Sequence, residues 1–442
     1  MMAIEALNLL LCALGGTLMS SVISCIPALH IYNVAGLLIV ISLRMQGLVP
    51  DEALAMWMLG MVVGYAILNT IPSIFLAAPD ESAIWIVLPG QKYLMQRRGF
   101  EASILTGVGG LGGIAFLLLL SPFAGGVFST IRTIVAPHLH WILMLVIVYM
   151  LLSEWPKGGD RGPTSLARLW DGWRSLLAGL LTFLLSGILG MIIMYRSLVP
   201  TEMSFQNLLP AFMGLFAIPW VLTNIISGEE VPPQHVATSL DVTPSLIARG
   251  TAAGALGGIF AAFFPVVTGG IGGFIAGHAT AQRDDRLFLI SQGASKVVYY
   301  VGALLLFFVP GLHLTRGGMA WMLSLVYIPQ TPEVYALALA GIAVCAALAF
   351  LLLILFSRAA IALVNRVNYR LISGVTLAVL VGIVFLFTGP GGLLIATVAT
   401  GIGLIPVLWH SRRMNCMGVL LVPIVLNMAG WGPTVARWLG LV

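Results

Sequence analysis

The chain has 442 residues, of which 60% are hydrophobic and only 8% are charged, and its mean hydropathy is +1.05. Soluble globular domains carry about a quarter charged residues, so the composition excludes a soluble enzyme and indicates a polytopic membrane protein. The net charge of +5 is dispersed in short basic clusters, which is typical of loops that orient membrane helices and does not indicate nucleic-acid binding.

Apolar segments follow one another from Glu5 to Leu441 without a long polar interval. The first has an acidic Glu5 and no basic region before its apolar run, so we interpret it as a membrane segment rather than a cleaved signal peptide. We expect an all-α fold of about twelve transmembrane helices, with additional re-entrant or broken segments. The apolar windows lie near residues 5–26, 28–43, 53–78, 102–122, 134–153, 175–196, 205–227, 250–264, 266–281, 287–309, 333–357, 371–388, 391–409 and 414–431.

Basic residues cluster near residues 92–98, 157–174, 283–286, 358–370 and 412–413. If residues 250–281 form a hairpin, an even number of crossings separates consecutive clusters, and the positive-inside rule places all of them on the cytoplasmic face. The interval 154–174 is polar and contains Gly and Pro, which indicates a cytoplasmic linker. We therefore predict a first membrane repeat at 1–153, this linker, and a second repeat with additional C-terminal helices at 175–442.

Two pairs of motifs support an internal duplication. GTLMSSVISCIP (16–27) and GALGGIFAAFFP (254–265) share Gly, Leu two residues later and Pro eleven residues after the Gly. Downstream, VLPGQKYLMQRRGFEA (87–102) and FVPGLHLTRGGMA (308–320) share Pro-Gly and then a basic residue followed by Gly. The loops after the paired segments have opposite charge bias, so we predict two repeats of inverted topology, as in many transporters.

Each repeat contains a proline, Pro27 or Pro265, within an apolar segment. Proline removes a backbone donor and should break the helix, and non-helical backbone at membrane depth is tolerated only inside protein or beside a wet cavity. In duplicated transporters such breaks meet near the midplane, where helix N-termini face anionic groups of the substrate. The paired breaks therefore predict a binding site.

Polar and small residues follow each break. His30 and Asn33 would share one face of the restarting helix, and Thr268 has the position of His30 in the second repeat. Gly269 and Gly270 would let backbone approach a ligand closely. The alternative is a kinked helix in which His30 bonds to a neighbour and the glycines serve only packing; the matching pair favours a site.

Asp80 and Glu81 are adjacent acids in an otherwise apolar context, where ionisable residues are candidate cation or proton sites. The alternative is a surface loop with solvated acids. The corresponding stretch of the second repeat, SQGASKVVYY, offers Gln292, Ser295 and Lys296 near the start of an apolar helix. Lys296 would either neutralise a carboxylate or phosphate, or extend its amine to the membrane surface.

No Walker loop, metalloprotease, nucleophile-elbow or dinucleotide motif occurs, and the four cysteines are single residues without metal-ligand spacing. We therefore predict no catalytic residue, no metal site and no enzyme activity. A coupling ion, Na⁺ or H⁺, is the one cofactor considered.

Four stretches resemble a known family. IPALHIYNVAGLL, IPSIFLAAPDESAIWIVLPGQKYLMQRRG, RDDRLFLISQGASKVVYYVGALLLFF and RRMNCMGVLLVP are similar, in the same order, to signatures of the large membrane subunit of tripartite tricarboxylate transporters, in particular the archaeal-type branch. The resemblance implies a permease of about a dozen helices in two repeats that uses an ion gradient to move small carboxylates such as citrate. It also implies a small membrane subunit and an extracytoplasmic binding protein as partners.

This sequence departs from the family at both breaks, where the family's Pro-Gly is replaced by Pro27-Ala28 and Pro265-Val266. A Cβ at these positions limits left-handed geometry and narrows access to the backbone. The substrate of this chain could therefore differ from that of the family and could be bulkier. With Asp80 and Glu81 as ion-coupling residues, the predicted substrate site comprises Pro27, Ala28, Leu29, His30, Asn33, Pro265, Val266, Thr268, Gly269, Gly270, Gln292, Ser295 and Lys296.

The sequence is compatible with three functions. The first is a secondary transporter of small organic anions in the cytoplasmic membrane. The second is a lipid-carrier translocase, in which Lys296 or Arg98 binds a polyprenyl phosphate headgroup. The third is a non-transporting membrane scaffold. Membrane lipid is a partner in every case, and a homodimer is one assembly that the sequence leaves open.

Overall fold

The computed structural model describes residues 3–44, 49–156, 158–200, 203, 206–228 and 230–442. Within these ranges the regular elements are helices, and no β-strand occurs. Lys157, which belongs to one of the basic clusters, lies outside the described residues.

The α-helices of the described ranges are α1 Ala3–Ile23, α2 Ile31–Arg44, α3 Asp51–Leu68, α4 Thr70–Phe75, α5 Val87–Met95, α6 Gly99–Leu120, α7 Ala124–Val135, α8 Leu139–Leu152, α9 Ser165–Tyr195, α10 Leu208–Phe212, α11 Ile218–Ser227, α12 Pro244–Phe263, α13 Gly269–Ala279, α14 Asp285–Phe308, α15 Gly317–Leu323, α16 Pro332–Arg366, α17 Tyr369–Leu408, α18 Gly418–Met428 and α19 Gly432–Trp438. A π-helical turn, Met213–Ala217, joins α10 to α11.

Nine helical stretches of the described residues are long and apolar enough to cross a membrane, or ten if the bent pair Arg413–Met428 and Gly432–Trp438 forms one span. Two of the nine, Gly99–Leu152 and Tyr369–Leu408, contain 54 and 40 residues. At ~1.5 Å per residue each is at least twice the ~30 Å hydrocarbon thickness. Counting these two as two crossings each adds two to the nine or ten, which agrees with the predicted number. The protein is a polytopic all-α membrane protein.

The chain forms two compact units. The first contains residues 1–133 and 228–373, and the second contains residues 134–227 and 374–442. These units are defined by contacts within the fold and do not test the predicted internal duplication. The repeats at 1–153 and 175–442, and the inverted topology of one relative to the other, therefore stay predictions.

In the first unit the most deeply buried helix is α14, all of whose membrane window lies inside the protein. Neighbouring helices approach one another closely where glycine removes the side chain, as is common in membrane helix packing. A Cβ on Gly109 of α6 would collide with the carbonyl group of Ile290 in α14, and one on Gly60 of α3 would collide with that of Ala13 in α1. These contacts surround α14 and α3 with protein.

Both predicted breaks are present in this unit. Non-helical residues separate α1 from α2 and α12 from α13, and Pro27 and Pro265 lie within these interruptions. Because the missing i→i−4 bonds leave backbone groups that lipid cannot satisfy, both interruptions lie within the packed unit.

The two breaks share one backbone conformation. Ala28 and Val266, each directly after its proline, have φ angles of 53° and 64°. This left-handed region favours glycine and is unfavourable for a β-branched residue such as Val266. The expected restriction by a Cβ therefore acts as local strain at both positions and does not prevent the turn, which the surrounding fold imposes.

Polar contacts cap and connect helix ends in the second unit. The hydroxyl of Thr164 accepts the backbone N–H of Ala167 (3.2 Å) and caps α9, a typical N-cap bond. In the π-helical turn the carbonyl of Phe216 accepts a bond from Nη2 of Arg413 (2.7 Å). The carboxylate of Glu154 accepts the backbone N–H of Arg412.

Replacing Val266 with glycine should raise the thermal stability of the purified protein. Glycine adopts the left-handed conformation without the penalty of about 1–2 kcal/mol that a side chain incurs there, although its greater unfolded-state freedom offsets part of the gain. Ala28→Gly should act in the same direction. The unfolding midpoint in detergent, followed by tryptophan fluorescence, measures the change.

The control is Ala252→Gly on an exposed position of α12, which should lower stability by about 1 kcal/mol because its backbone is helical. Equal destabilisation by Val266→Gly and Ala252→Gly would show that the turn is not strained.

Candidate functional site

The first break places His30 directly before α2. Its Nδ1 accepts the backbone N–H of Tyr32 (3.1 Å), so Nδ1 has a lone pair and the ring proton of a neutral imidazole is on Nε2. Nε2 lies 3.0 Å from Oε1 of Glu81 and 2.9 Å from the hydroxyl oxygen of Tyr300. His30 therefore caps α2 with one nitrogen and donates toward Glu81 with the other.

Asp80 is the most extensively hydrogen-bonded group in this region. A carboxylate offers about four lone-pair sites, and here each oxygen accepts three bonds. The residue is 7% exposed, so these bonds replace water and stabilise the ionised form. The donors are the Tyr65 hydroxyl (2.7 Å), the Asn69 amide (2.8 Å) and the Tyr300 hydroxyl (3.0 Å) to Oδ2, and the Ser82 N–H (3.1 Å), the Ser82 hydroxyl (2.7 Å) and the Ala83 N–H (2.8 Å) to Oδ1.

Asn69 links this carboxylate to a buried cation. Its amide nitrogen donates to Asp80, and its Oδ1 accepts a hydrogen bond from Nζ of Lys296. Lys296 is 1% exposed in the interior of α14, so its amine does not extend to the membrane surface. Because buried charges require an opposite partner, Lys296 and Asp80 neutralise each other across the Asn69 amide.

The second break ends at Thr268, the residue before α13. Its hydroxyl oxygen is buried and has no hydrogen-bond partner, and it makes no cap bond to α13. The next residue, Gly269, packs on α14, because a Cβ there would lie 3.3 Å from the Cα of Lys296. The break therefore presents an unused hydroxyl at the positive end of α13, next to the Lys296 backbone.

Two polar side chains of α14 form hydrogen bonds with backbone carbonyls in the first turns of α13. The Ser295 hydroxyl donates to the carbonyl of Gly269 (3.2 Å), and the Gln292 amide donates to the carbonyl of Gly273 (3.2 Å). Neither side chain is exposed. Gln292 and Ser295 thus position the second break.

The two breaks meet at Glu81. His30 of the first break bonds to its carboxylate, and Gly270 of α13 lies against its backbone carbonyl, with which a Cβ at position 270 would collide. Glu81 is 5% exposed. The reading of Asp80 and Glu81 as solvated acids in a surface loop is therefore wrong, since the helices of the unit enclose both residues.

The remaining predicted residues lie in or next to the turns of the two breaks. Pro27, Ala28 and Leu29 are buried in the first turn, and Pro265 and Val266 are half-buried in the second. The N–H of Asn33, in the first turn of α2, donates to the carbonyl of His30 (3.0 Å). Their assignment to a substrate site stays a prediction.

Sequence reasoning missed Tyr65, Asn69 and Tyr300, which supply three of the donors to Asp80. The available signal is spacing: Tyr65 and Asn69 are four residues apart, as are Lys296 and Tyr300, so each pair lies on one face of a helix. Polar pairs at this spacing in apolar helices indicate a common polar surface.

The ligand atoms of His30, Asp80 and Glu81 lie within 4.8 Å of one another, close enough to hold a metal ion. In the described arrangement, however, both oxygens of Asp80 accept hydrogen bonds and His30 donates from Nε2. These two residues have no free lone pair for a cation, so the hydrogen bonding does not fit a metal centre.

Interrupted membrane helices that converge on buried ionisable side chains are typical of one class of protein, the secondary membrane transporters. The model of the tripartite tricarboxylate transporter TctA family matches residues 10–418, which is most of the chain. The protein belongs to this family, as the sequence resemblance predicted.

One similar protein comes from Methanocaldococcus jannaschii. It is named uncharacterized protein MJ1079 and is 24% identical over 431 residues, covering 95% of this chain and 98% of the relative. No solved structure matches this chain. Membership of the archaeal-type branch stays a prediction.

Replacing Asn69 with leucine should destabilise the protein by about 3–6 kcal/mol, because two hydrogen bonds to buried charged groups are lost and each contributes about 1.5–3 kcal/mol. The change removes the acceptor for Lys296 and one donor to Asp80 at once. The thermal unfolding midpoint measures the loss.

Ser73→Ala is the matched control for this prediction. The Ser73 hydroxyl is equally buried and donates only to the carbonyl of Asn69 (3.1 Å), so its removal should cost about 1 kcal/mol or less. A loss at Asn69 no larger than that at Ser73 would show that the amide does not connect the two charges.

Proposed function

We propose that this family member is a permease that moves small organic anions, of the di- or tricarboxylate class, across the cytoplasmic membrane. A cation gradient drives this transport. The observation that carries the proposal is the convergence of two interrupted helices on buried charges in one unit. Both breaks contact Glu81, at its side chain and at its backbone. Such breaks surround the substrate in duplicated transporters.

The second break supplies the features that suit an anion. The positive end of α13 favours negative charge, and the hydroxyl of Thr268 is a donor without a partner inside the protein. The backbone of Lys296 lies directly beside this helix start, while its amine bonds to Asn69. A carboxylate at this position would gain a hydrogen bond to the hydroxyl together with the field of the helix end.

The first break supplies the features that suit cation coupling. Asp80 and Glu81 are buried acids, which in membrane proteins commonly lie on ion or proton pathways. The coupling ion would be Na⁺ or H⁺. The charge of the acids would link cation binding to the binding of an anion.

The name of the family describes a tripartite system. This supports a small membrane subunit and an extracytoplasmic binding protein as partners of the permease. A homodimer of the permease is compatible with this assembly.

The translocase alternative has less support. Arg98, one of its two candidate phosphate partners, is engaged by the carboxylate of Glu101 through two bonds of 2.6 and 2.7 Å. A passive scaffold is also disfavoured, because buried charges and an unpaired buried hydroxyl reduce stability and serve no purpose in packing alone.

Replacing Thr268 with valine should weaken transport while leaving the fold intact or more stable. A hydrogen bond to a charged group contributes about 1.5–3 kcal/mol, so the half-saturating concentration of citrate should rise between about tenfold and a hundredfold. Removing a buried hydroxyl without a partner should at the same time raise the unfolding midpoint. Uptake of labelled citrate into proteoliposomes under inward Na⁺ and pH gradients measures the first effect.

Thr251→Val provides the control, because the hydroxyl of Thr251 in α12 is also buried without a partner. It should alter stability in the same direction and leave citrate uptake unchanged. If both variants transport normally, or if wild-type protein takes up no di- or tricarboxylate under either gradient, the proposed function is wrong.

A further inference from the structure

The buried cluster at Glu81 has an unbalanced charge. Asp80 is negative, Lys296 is positive and bonded to it through Asn69, and His30 is a neutral imidazole because Nδ1 accepts the Tyr32 amide. The ionised carboxylate of Glu81 would therefore give the cluster one uncompensated negative charge in a low-dielectric interior, which is strongly unfavourable. Binding of one monovalent cation would remove the imbalance.

Hydrogen bonding decides which acid receives that cation. Asp80 accepts six bonds from fixed donors, and a proton or ion on either oxygen would displace at least one of them. Among the described residues, Glu81 accepts a bond only at Oε1, from His30 (3.0 Å), since the single hydroxyl proton of Tyr300 is donated to Asp80 (3.0 Å) rather than to Glu81 (3.5 Å). Its Oε2 has no hydrogen-bond partner among the residues that the structure describes. The vacant acceptor therefore belongs to Glu81.

The hydrogen bonds around Glu81 also distinguish a proton from a metal ion. Hard cations such as Na⁺ are held by several oxygen ligands at once, and both oxygens of Asp80 and the Nε2 of His30 are already engaged. A proton needs only one lone pair, which Oε2 provides. Proton binding would convert the carboxylate into a neutral acid, while Oε1 continues to accept from His30.

The geometry points to a specific coupling residue: Glu81 binds and releases the coupling proton at Oε2, whereas Asp80 is a permanent anion that Lys296 neutralises. This inference rests on the proposed function and names its coupling ion. The ionisable groups around Glu81 are His30 from the first break, Asp80 beside it in sequence, Tyr32 of α2, Tyr65 of α3, and Lys296, Tyr299 and Tyr300 of α14. Asp80 and Lys296 form a neutral pair, so the proton on Glu81 sets the net charge of the site.

Infrared spectroscopy of the purified full-length protein tests proton binding without any substrate. Difference spectra between alkaline and mildly acidic buffer should contain a C=O stretching component of a buried carboxylic acid. Glu81→Gln should lose this component, and Glu81→Asp should shift it. Glu101→Gln should keep it, because Glu101 is equally buried but is paired with Arg98. Replacing choline by Na⁺ at constant pH should leave the component unchanged.

A component that persists in Glu81→Gln, or that Na⁺ abolishes, overturns the inference. Should Glu81→Gln not fold, the Glu81→Asp shift and the Na⁺ titration of wild-type protein still decide the question. Citrate uptake into proteoliposomes separates this inference from the proposed function. Uptake driven by a Na⁺ gradient at equal pH on both sides would overturn the proton assignment and leave the transport function supported. Absence of uptake, together with an infrared component that titrates, would overturn the transport function and leave the proton assignment supported.

Discussion

The carboxylate of Asp80 lies inside an apolar helix bundle, where an unpaired charge would cost several kcal/mol. Its six donors come from the end of α3, from its own loop and from α14. Satisfying one anion therefore fixes three chain segments relative to one another. The Asn69 amide extends the same network to Lys296, so the most buried helix of the first unit is tied to the acid-bearing loop by both charge and hydrogen bonding.

Two adjacent acids acquire different chemistry from this arrangement. Asp80 is saturated with donors, and its charge is matched by Lys296. Glu81, one residue later, meets a neutral histidine and retains one unoccupied oxygen. Environments that separate two carboxyl groups in this way commonly assign them separate roles, one fixed in charge and one exchangeable. The division depends on the tautomer of His30, which in turn depends on the backbone N–H of Tyr32.

Much of this could be predicted from the sequence, because composition, proline and isolated charges are strong signals in a membrane chain. The helical fold, the two breaks and the choice of His30, Asp80, Glu81 and Lys296 as candidate site residues follow from rare residue types in apolar surroundings. Tyr300 could not be found in the same way, because it is separated from Asp80 by 220 residues and tyrosine is an ordinary membrane residue.

Local rules also fail where the fold overrides them. Glycine is expected at a left-handed position, yet Ala28 and Val266 occupy one in each break. Similarly, sequence alone left both readings of Lys296 open, since a lysine that reaches the membrane surface and a buried one can have identical neighbours in sequence. Only the packing of α14 decides between them, and packing is set by contacts distant in the chain.

The two breaks share a turn but differ in how they use the helix that follows. In the first, His30 accepts an amide of α2 and so uses part of the donor capacity of that helix end. In the second, Thr268 forms no cap bond, and α13 is instead held by Gln292 and Ser295 through carbonyls. No side-chain cap therefore occupies the first backbone N–H groups of α13, the end of the helix at which negative charge is favoured. In the proposed function the first break therefore serves an acid and its proton and the second serves an anion, and Glu81 contacts both breaks.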